Sequence, residues 1–349
     1  MTKPVKFALI GTGVGGTFAA RALKSLKEEG VAELVSVTSR REERAKNFAK
    51  EWGLKSWYTN HLEMLRKEDV DAVIISTPHY LHFPQAIDAL DAGYHVLVDK
   101  PMAIDLKQCD EMIRRARKNG LKLGVLLQNR FDEKVRRVKK LVDDGRLGKL
   151  ILGEANVKWF RTKEYYEKSS WRGRWATEGG GSLINQAIHY IDLLIWIMGS
   201  PSSLFAHAGA FTHDIEVDDL AVALLKFKNG ALGVIQSSTS IYPGLPTKLE
   251  IHGEKGTAII EGEAIKMIAI EGEEIERAEK KEGLASWARP EAVPPTNHIN
   301  LIRDFANAIL EDREPKVNGE EGRRSIEVIR AIYYSSKNGA PVNFPLIDV

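Results

Sequence analysis

The sequence predicts an α/β protein in two parts, an N-terminal doubly wound parallel sheet and a C-terminal α+β domain with a large, mostly antiparallel open sheet. Three observations predict it. Short β-branched runs alternate with helical patterns through the first third of the chain. A glycine cluster stands directly after the first of those runs. Beyond Leu127 the apolar runs lengthen and follow one another, with an Asn229-Gly230 hairpin signal between two of them. With 349 residues, and roughly 100–200 residues per domain, two domains are expected, at 1–127 and 128–349.

In order, 5–10 is an apolar run, followed by the glycines and a helix to about 29. A second strand covers 33–38 and a helix 42–51; then come strand 72–76, helix 83–92, strand 95–99, helix 106–119 and strand 122–127. Five or six strands with helical crossovers make a doubly wound sheet, whose ligands bind at the carboxyl ends of the strands. The second domain is read as strands 150–160, 203–212, 218–227, 231–238, 247–252, 257–260 and 264–270. Helices at 132–143, 183–198, 296–310 and 319–338 are expected to cover one face of that sheet.

Composition excludes several classes. An apolar fraction of 43% beside a net charge of +2 describes a chain that buries cores. The near balance of 50 Lys and Arg against 48 Asp and Glu gives no electrostatic reason to expect nucleic acid or an anionic membrane as partner. The apolar stretch 191–198 contains Asp192 and is too short to span a bilayer. Cys109 has no second cysteine to pair with, which fits a reducing compartment, and 1–6 runs into a strand without a signal-peptide pattern, so a cytoplasmic location is expected. The histidines show no paired ligand spacing and no metal site is predicted.

Gly11-Thr12-Gly13-Val14-Gly15-Gly16 sits between a strand and a helix, the context that gives G-x-G-x-x-G its meaning. Gly11 allows the tight turn, Gly13 admits a pyrophosphate against the backbone, and Gly16 packs the helix on the strand; the helix N-terminus then offers N–H groups to phosphate. This makes the first domain a Rossmann domain for a dinucleotide. At the end of the second strand, where a carboxylate would hold the ribose hydroxyls of NAD, stand Ser39, Arg40 and Arg41. Guanidinium groups suit a 2′-phosphate, so NADP(H) is the preferred expectation and NAD(H) the alternative. The competing reading of these arginines is a solvated helix start.

Asp99-Lys100-Pro101 closes a strand at the ligand-binding end of the sheet. A lysine partly desolvated there can exchange a proton with a substrate hydroxyl; the plain alternative is a surface lysine. In the run after Gly179-Gly180-Gly181, Asn185 and His189 fall on one helical face, where Asn185 would donate a hydrogen bond to a sugar hydroxyl and His189 would hydrogen-bond or transfer a proton. Arg130, Lys158, Trp159, Arg161, Tyr165, Trp171, Arg172 and Arg174 are further candidates for a sugar-binding surface, against readings as core aromatics or solvated charges.

The glycine loop, Thr77-Pro78 with His82, Asp99-Lys100-Pro101, and Trp171-Arg172 ahead of Gly179-Gly180-Gly181 and His189 resemble the Gfo/Idh/MocA oxidoreductases over essentially the whole chain. The resemblance implies hydride transfer between nicotinamide and a secondary alcohol or ketone of a sugar, polyol or nucleotide-sugar, with Lys100 and His189 catalytic. It implies cofactor contacts at Gly11, Thr12, Gly13, Val14, Gly15, Ser39, Arg40, Arg41, Thr77, Pro78, His79, His82, Asp99, Lys100 and Arg172. Substrate contacts would be Lys100, Arg130, Trp171, Asn185 and His189, and the open sheet implies a homodimer or homotetramer. Three positions depart from the family pattern: Asp99 replaces Glu, Asn185 replaces Asp, and His79 replaces Asn. Asn185 is similar to members that oxidise UDP-linked N-acetylamino sugars. Two alternatives stand beside this reading, a nicotinamide-dependent glycosidase acting by transient oxidation and a non-catalytic dinucleotide sensor on the same fold.

Overall fold

The computed structural model describes residues 3–277 and 294–346. The chain divides into two compact units, Met1–Phe131 with Pro294–Arg323, and Asp132–Val293 with Arg324–Val349. The first unit runs β1 (Val5–Ile10), α1 (Val14–Glu28), β2 (Ala32–Thr38), α2 (Glu42–Trp52), β3 (Ser56–Tyr58), α3 (His61–Lys67), β4 (Ala72–Ile75), α4 (His82–Asp91), β5 (His95–Asp99), α5 (Leu106–Lys118) and β6 (Leu123–Leu126). Its strands form a parallel sheet in the order β3-β2-β1-β4-β5-β6. The order reverses between β1 and β4, and that switch point is where such sheets bind ligands. All four residues of β4 are buried, as are Val96, Leu97 and Val98 of β5, because helices cover both faces and no alternation is needed. Strand β3 and helix α3 have no counterpart in the sequence reading: Ser56-Trp57-Tyr58 is too short to show a period and is defined by its pairing with β2.

The second unit contains α6 (Glu133–Asp143), β7 (Leu150–Lys158), α7 (Lys163–Glu167), α8 (Trp175–Glu178), a π-helical turn over Ser182–Ala187, α9 (Ile188–Met198), β8 (Pro201–Gly209), β9 (Leu220–Phe227), β10 (Leu232–Ser238), β11 (Lys248–Gly253), β12 (Gly256–Glu261), β13 (Ala264–Ile270) and β14 (Glu276–Arg277). The chain then continues through α10 (Thr296–Leu310), α11 (Gly319–Asn338) and β15 (Val342–Asn343). The order of this second sheet is β14-β13-β12-β11-β7-β10-β9-β8-β15. Among its described strands only the β7–β10 pair is parallel. Helix α9 covers one face, so closely that a Cβ on Gly153 of β7 would stand 2.7 Å from Met198 and 2.9 Å from Leu194.

Two sequence expectations change here. Strand β8 stops at Gly209 rather than at residue 212, because the N–H groups of Phe211, Thr212 and His213 turn onto the Asp219 carboxylate at 2.7–2.9 Å. Helix α10 was expected on the second sheet, within a continuous domain 128–349, yet it belongs to the first unit. Its Phe305 ring lies 6.3 Å from that of Phe7 on β1 and leaves room only for glycine at residue 124, where a Cβ would come to 2.8 Å. Farther on, the Val125 N–H donates to Val317 O at 3.0 Å. An amphipathic helix does not announce which sheet it covers, so the sequence could not show this return. Residues 278–293 and 347–349 of the expected second domain lie outside the described residues.

Phe305 is 1% exposed, so Phe305→Ala is expected to destabilise the first unit by about 3–5 kcal/mol through lost transfer energy and a cavity. Urea unfolding followed by dinucleotide-binding capacity checks this.

Candidate active site

On the first unit the glycine loop is explained by what surrounds it. Gly11 has φ +114°, and a Cβ there would stand 2.1 Å from the Ser76 carbonyl oxygen. At Gly15 a Cβ would fall 2.2 Å from both Asp99 Oδ2 and Ser76 Oγ. Gly13, by contrast, faces open space within 4 Å. It precedes α1 as an extended N-cap with no side-chain hydrogen bond, so no side chain competes for the first N–H groups of the helix. A loop that is closed toward the sheet and open at Gly13, ahead of an uncapped 15-residue helix, fits a dinucleotide pyrophosphate.

Asp99 ties this loop to the lysine. Its Oδ2 accepts from Ser76 Oγ at 2.7 Å, and its Oδ1 accepts the backbone N–H of Lys100 at 2.8 Å. Lys100 therefore leaves the carboxyl end of β5 in a direction fixed by a carboxylate that also touches the start of α1. His82, expected as a cofactor contact, is instead fully buried. Its Nδ1 lies 2.7 Å from Pro101 O and its Nε2 2.8 Å from Thr77 O, so the ring spans the ends of β5 and β4 and positions the Lys100 turn. Burial pushes the His82 pKa down, against the upward pull of Asp99 and the two carbonyls. Thr77 Oγ1 donates to Gln85 at 2.7 Å, and Pro78 leads into a 3-10 turn in which His79 is buried, its ring 5.9 Å from that of His82.

Arg130 is likewise placed differently from the expectation of a substrate contact. It is 5% exposed and pairs with Glu321 at 2.5 Å, which makes it an ion pair internal to the first unit. Ser39, Arg40 and Arg41 follow β2; the Ser39 N–H is held by Tyr58 O at 3.0 Å, and both arginines are exposed. A feature without sequence signal is His298 of α10, which stacks on Phe18 of α1 at 4.9 Å and 8°. Burial lowers its pKa to about 4, with Asp99 pulling the other way.

The second unit gathers the other candidates. Arg172 lies 4.3 Å from the Tyr165 ring centre and 5.0 Å from that of Trp171, while Arg161 lies 5.4 Å from Tyr165 and 5.1 Å from Trp159. The Tyr165 hydroxyl accepts from Gln186 Nε2 at 3.0 Å, and burial raises its pKa. Arg172, read as a cofactor contact, is thus brought together with Trp171, Asn185 and Tyr165. Arg174 is exposed. Asn185 sits on the π turn and His189 on the first turn of α9, both half-buried; π turns often mark functional positions in helices.

One residue of this cluster was not a sequence candidate. Glu178, the last residue of α8, is 1% exposed. Its Oε2 accepts the Gly173 N–H at 2.5 Å, and its Oε1 accepts Asn185 Nδ2 at 2.6 Å. Burial raises its pKa to about 7, although those two hydrogen bonds and Arg172 act to lower it. The amide edge of Asn185 that was expected to donate to a substrate is therefore turned to a carboxylate. In the sequence Glu178 reads as a surface residue before a glycine turn, and nothing signals its burial. Among the described residues no group of His, Cys, Asp or Glu could hold a metal ion.

Fold and loop define a dinucleotide-binding oxidoreductase architecture, and comparison with known proteins agrees. Residues 5–127 match the oxidoreductase family with NAD-binding Rossmann fold, and 135–259 match the GFO/IDH/MocA C-terminal domain. The WlbA dehydrogenase from Bordetella pertussis, solved with NADH and UDP-GlcNAcA, is 32% identical, with 98% of this chain and 99% of that chain covered and a TM-score of 0.86. Its counterpart from Chromobacterium violaceum, with the same two ligands, is 30% identical over 100% and 98%, with a TM-score of 0.87. The scyllo-inositol 2-dehydrogenase (NADP+) of Bacillus subtilis is 26% identical over 95% of this chain and 94% of its own. The chain belongs to the Gfo/Idh/MocA family and is an NAD(P)-dependent oxidoreductase acting on CH–OH groups.

A Cβ at residue 15 has to displace Asp99. Gly15→Ala is expected to lower kcat/KM by about a hundredfold through misplacement of the Lys100 turn, with weaker dinucleotide binding in calorimetry.

Proposed function

We propose that the enzyme moves a hydride between NADP(H) and a secondary alcohol, or its ketone, on a nucleotide-linked sugar. The observation that carries the substrate class is the pair of guanidinium groups, Arg161 and Arg172, on the Tyr165 ring beside Asn185. Guanidinium forks pair with phosphate or carboxylate, and the faces of Trp159 and Trp171 next to them suit a sugar or base. The two relatives of 30–32% identity that were solved with NADH and UDP-GlcNAcA support this choice. For the cofactor, the support is the absence of any carboxylate between Val37 and Arg41 and the exposed Arg40 and Arg41, which suit a 2′-phosphate.

A bound nicotinamide accepts or supplies the hydride. The protein's part is proton transfer and orientation. Lys100 exchanges the proton of the reacting hydroxyl, its backbone held by Asp99 and its turn by His82. His189, on the first turn of α9, is the second unit's candidate to hydrogen-bond a substrate hydroxyl. Thr12, Gly13, Val14 and Gly15 would hold the pyrophosphate through backbone groups at the start of α1, and Thr77 and Pro78, which follow the end of β4, would contact the rest of the cofactor.

The open face of the second sheet supports a homo-oligomer. Leu224 of β9 and Leu232 of β10 are both 58% exposed and Val222 is 43% exposed, and Leu224 pairs directly with Val234 on the same face. Such a contiguous apolar patch fits a second copy of the chain, as a dimer or a dimer of dimers. No helix among the described residues is long and apolar enough to cross a membrane.

Near-ultraviolet absorbance of nicotinamide, with NADP+ and NAD+ in separate cells and pooled UDP-sugars, sugars, polyols and aldonates, tests the reading. Reduction by the UDP-sugar pool, faster with NADP+, is the expected result. Faster NAD+ reduction overturns the cofactor choice, and reduction by a free polyol alone overturns the substrate class. Lys100→Met is expected to lower kcat by about three orders of magnitude, with a far smaller loss of NADP+ affinity by calorimetry. Leu224→Glu is expected to shift the protein toward monomer in sedimentation velocity.

A further inference from the structure

We infer that Glu178 sets the polarity with which Asn185 meets the substrate: ionised, it takes the Asn185 N–H edge and turns the amide oxygen away from itself as an acceptor; protonated, it reverses the amide. The inference deepens the proposed function and rests on it for the identity of the bound hydroxyl.

The geometry is specific. Glu178 Oε2 accepts the Gly173 N–H at 2.5 Å, a backbone donor that cannot become an acceptor, so a proton added to this carboxyl goes to Oε1. Oε1 is the atom that faces Asn185, at 2.6 Å from Nδ2. A carboxylate there requires the N–H2 edge of the amide, whereas a carboxylic O–H there requires the carbonyl edge. Because the two edges of a primary amide lie on opposite sides, adding one proton exchanges a hydrogen-bond acceptor for a donor on the side turned from Glu178. Asn185 is half-buried while Glu178 is 1% exposed, so the carboxyl is the more enclosed member of the pair; Asn185 Nδ2 also lies 3.5 Å from the Tyr165 hydroxyl.

The surroundings make both protonation states accessible. Arg172, which follows α7, favours the ionised form, and burial together with Asp218 ahead of β9 favours the neutral one. Tyr165 and Tyr166 of α7 feel the same charge. Asp218 is engaged by the N–H groups of Gly181 and Leu183, by Ser182 and by Tyr333 of α11. The balance places the Glu178 midpoint at about 7. A substrate hydroxyl that donates to Asn185 therefore binds better as pH rises through this range. Glu178 is a positioning residue in this scheme, since it acts through Asn185.

The experiment compares wild type with Glu178→Gln, Asn185→Asp and the double variant between pH 5.5 and 8.5, reading kcat and KM together with the side-chain amide resonances of 15N-asparagine-labelled protein. In Glu178→Gln the introduced amide donates toward residue 185 and fixes the protonated arrangement, so KM rises about tenfold, the loss of one hydrogen bond, and no longer changes with pH. In the double variant the amide introduced at position 178 donates to one oxygen of the carboxylate introduced at position 185 and leaves the other oxygen as acceptor. KM then returns close to the wild-type value at pH 8 and stays flat. The Asn185 resonance, identified by its loss in Asn185→Asp, moves with pH in wild type. An Asn185 signal that ignores pH in wild type overturns the inference whether or not any variant folds or turns over. A double variant no better than Glu178→Gln overturns it as well, since a purely structural carboxyl is not rescued by exchange. A pH-responsive signal in an enzyme that reduces no cofactor with any UDP-sugar overturns the proposed substrate and leaves the inference standing.

Discussion

The space that a side chain at residue 15 would fill is occupied by Asp99 and Ser76, and the working end of the first unit is arranged around that occupation. Helix α1 begins against the carboxyl ends of β4 and β5, and glycine is what permits so close an approach. The partial positive charge at the start of α1 then lies beside the Asp99 carboxylate, which also anchors the Lys100 N–H. One aspartate thus couples the phosphate-binding end of the helix to the direction of the lysine. His82 completes the frame by bridging carbonyls at the ends of the same two strands. Binding and chemistry share a frame of short side chains anchored largely on backbone groups, which is more rigid than a frame of long side chains.

The second unit solves a different problem with two buried carboxylates. Residues 179–187 combine three glycines with a π turn, a segment of little intrinsic preference for one shape. Asp218 collects two backbone N–H groups and two hydroxyls from it and from α11. A Cβ on Gly181 would collide with the Asp218 carbonyl oxygen at 1.8 Å, so the segment is pinned from both sides of that residue. Glu178 holds the other end through the Gly173 N–H and the Asn185 amide. For this carboxylate the desolvation of burial outweighs what those donors return, and it keeps its proton more readily than an exposed glutamate does.

How much of this was legible follows from what each feature depends on. The parallel sheet, the glycine loop and the Asp99-Lys100 turn were visible because strand periodicity and glycine placement are local properties. The return of α10 was not, since Phe305 is paired with Phe7 and Gly124 by topology across a long stretch of sequence. The partners of Arg130 and His82 are hidden for a related reason: a residue type suited to substrate or cofactor is equally suited to a buried pair, and Glu321 and the Pro101 carbonyl come to them only through the fold. Glu178 was invisible because burial of a carboxylate before a glycine run is fixed by Gly173, Asn185 and Arg172, none of which marks residue 178 in the sequence.

Arg172 links these observations. It stacks on Tyr165 at 4.3 Å and at the same time draws the Glu178 proton affinity down. An anionic group that pairs with this guanidinium cancels part of its field, so Glu178 then holds its proton more tightly. By reciprocity, the protonated enzyme leaves more of the Arg172 charge uncompensated and attracts the anion somewhat more strongly, which at this half-buried guanidinium offsets only part of the loss of the Asn185 acceptor. The polarity of Asn185 and the affinity for a charged substrate are thereby two readings of one electrostatic balance. A neutral polyol, which brings no charge to Arg172, engages only the first of them.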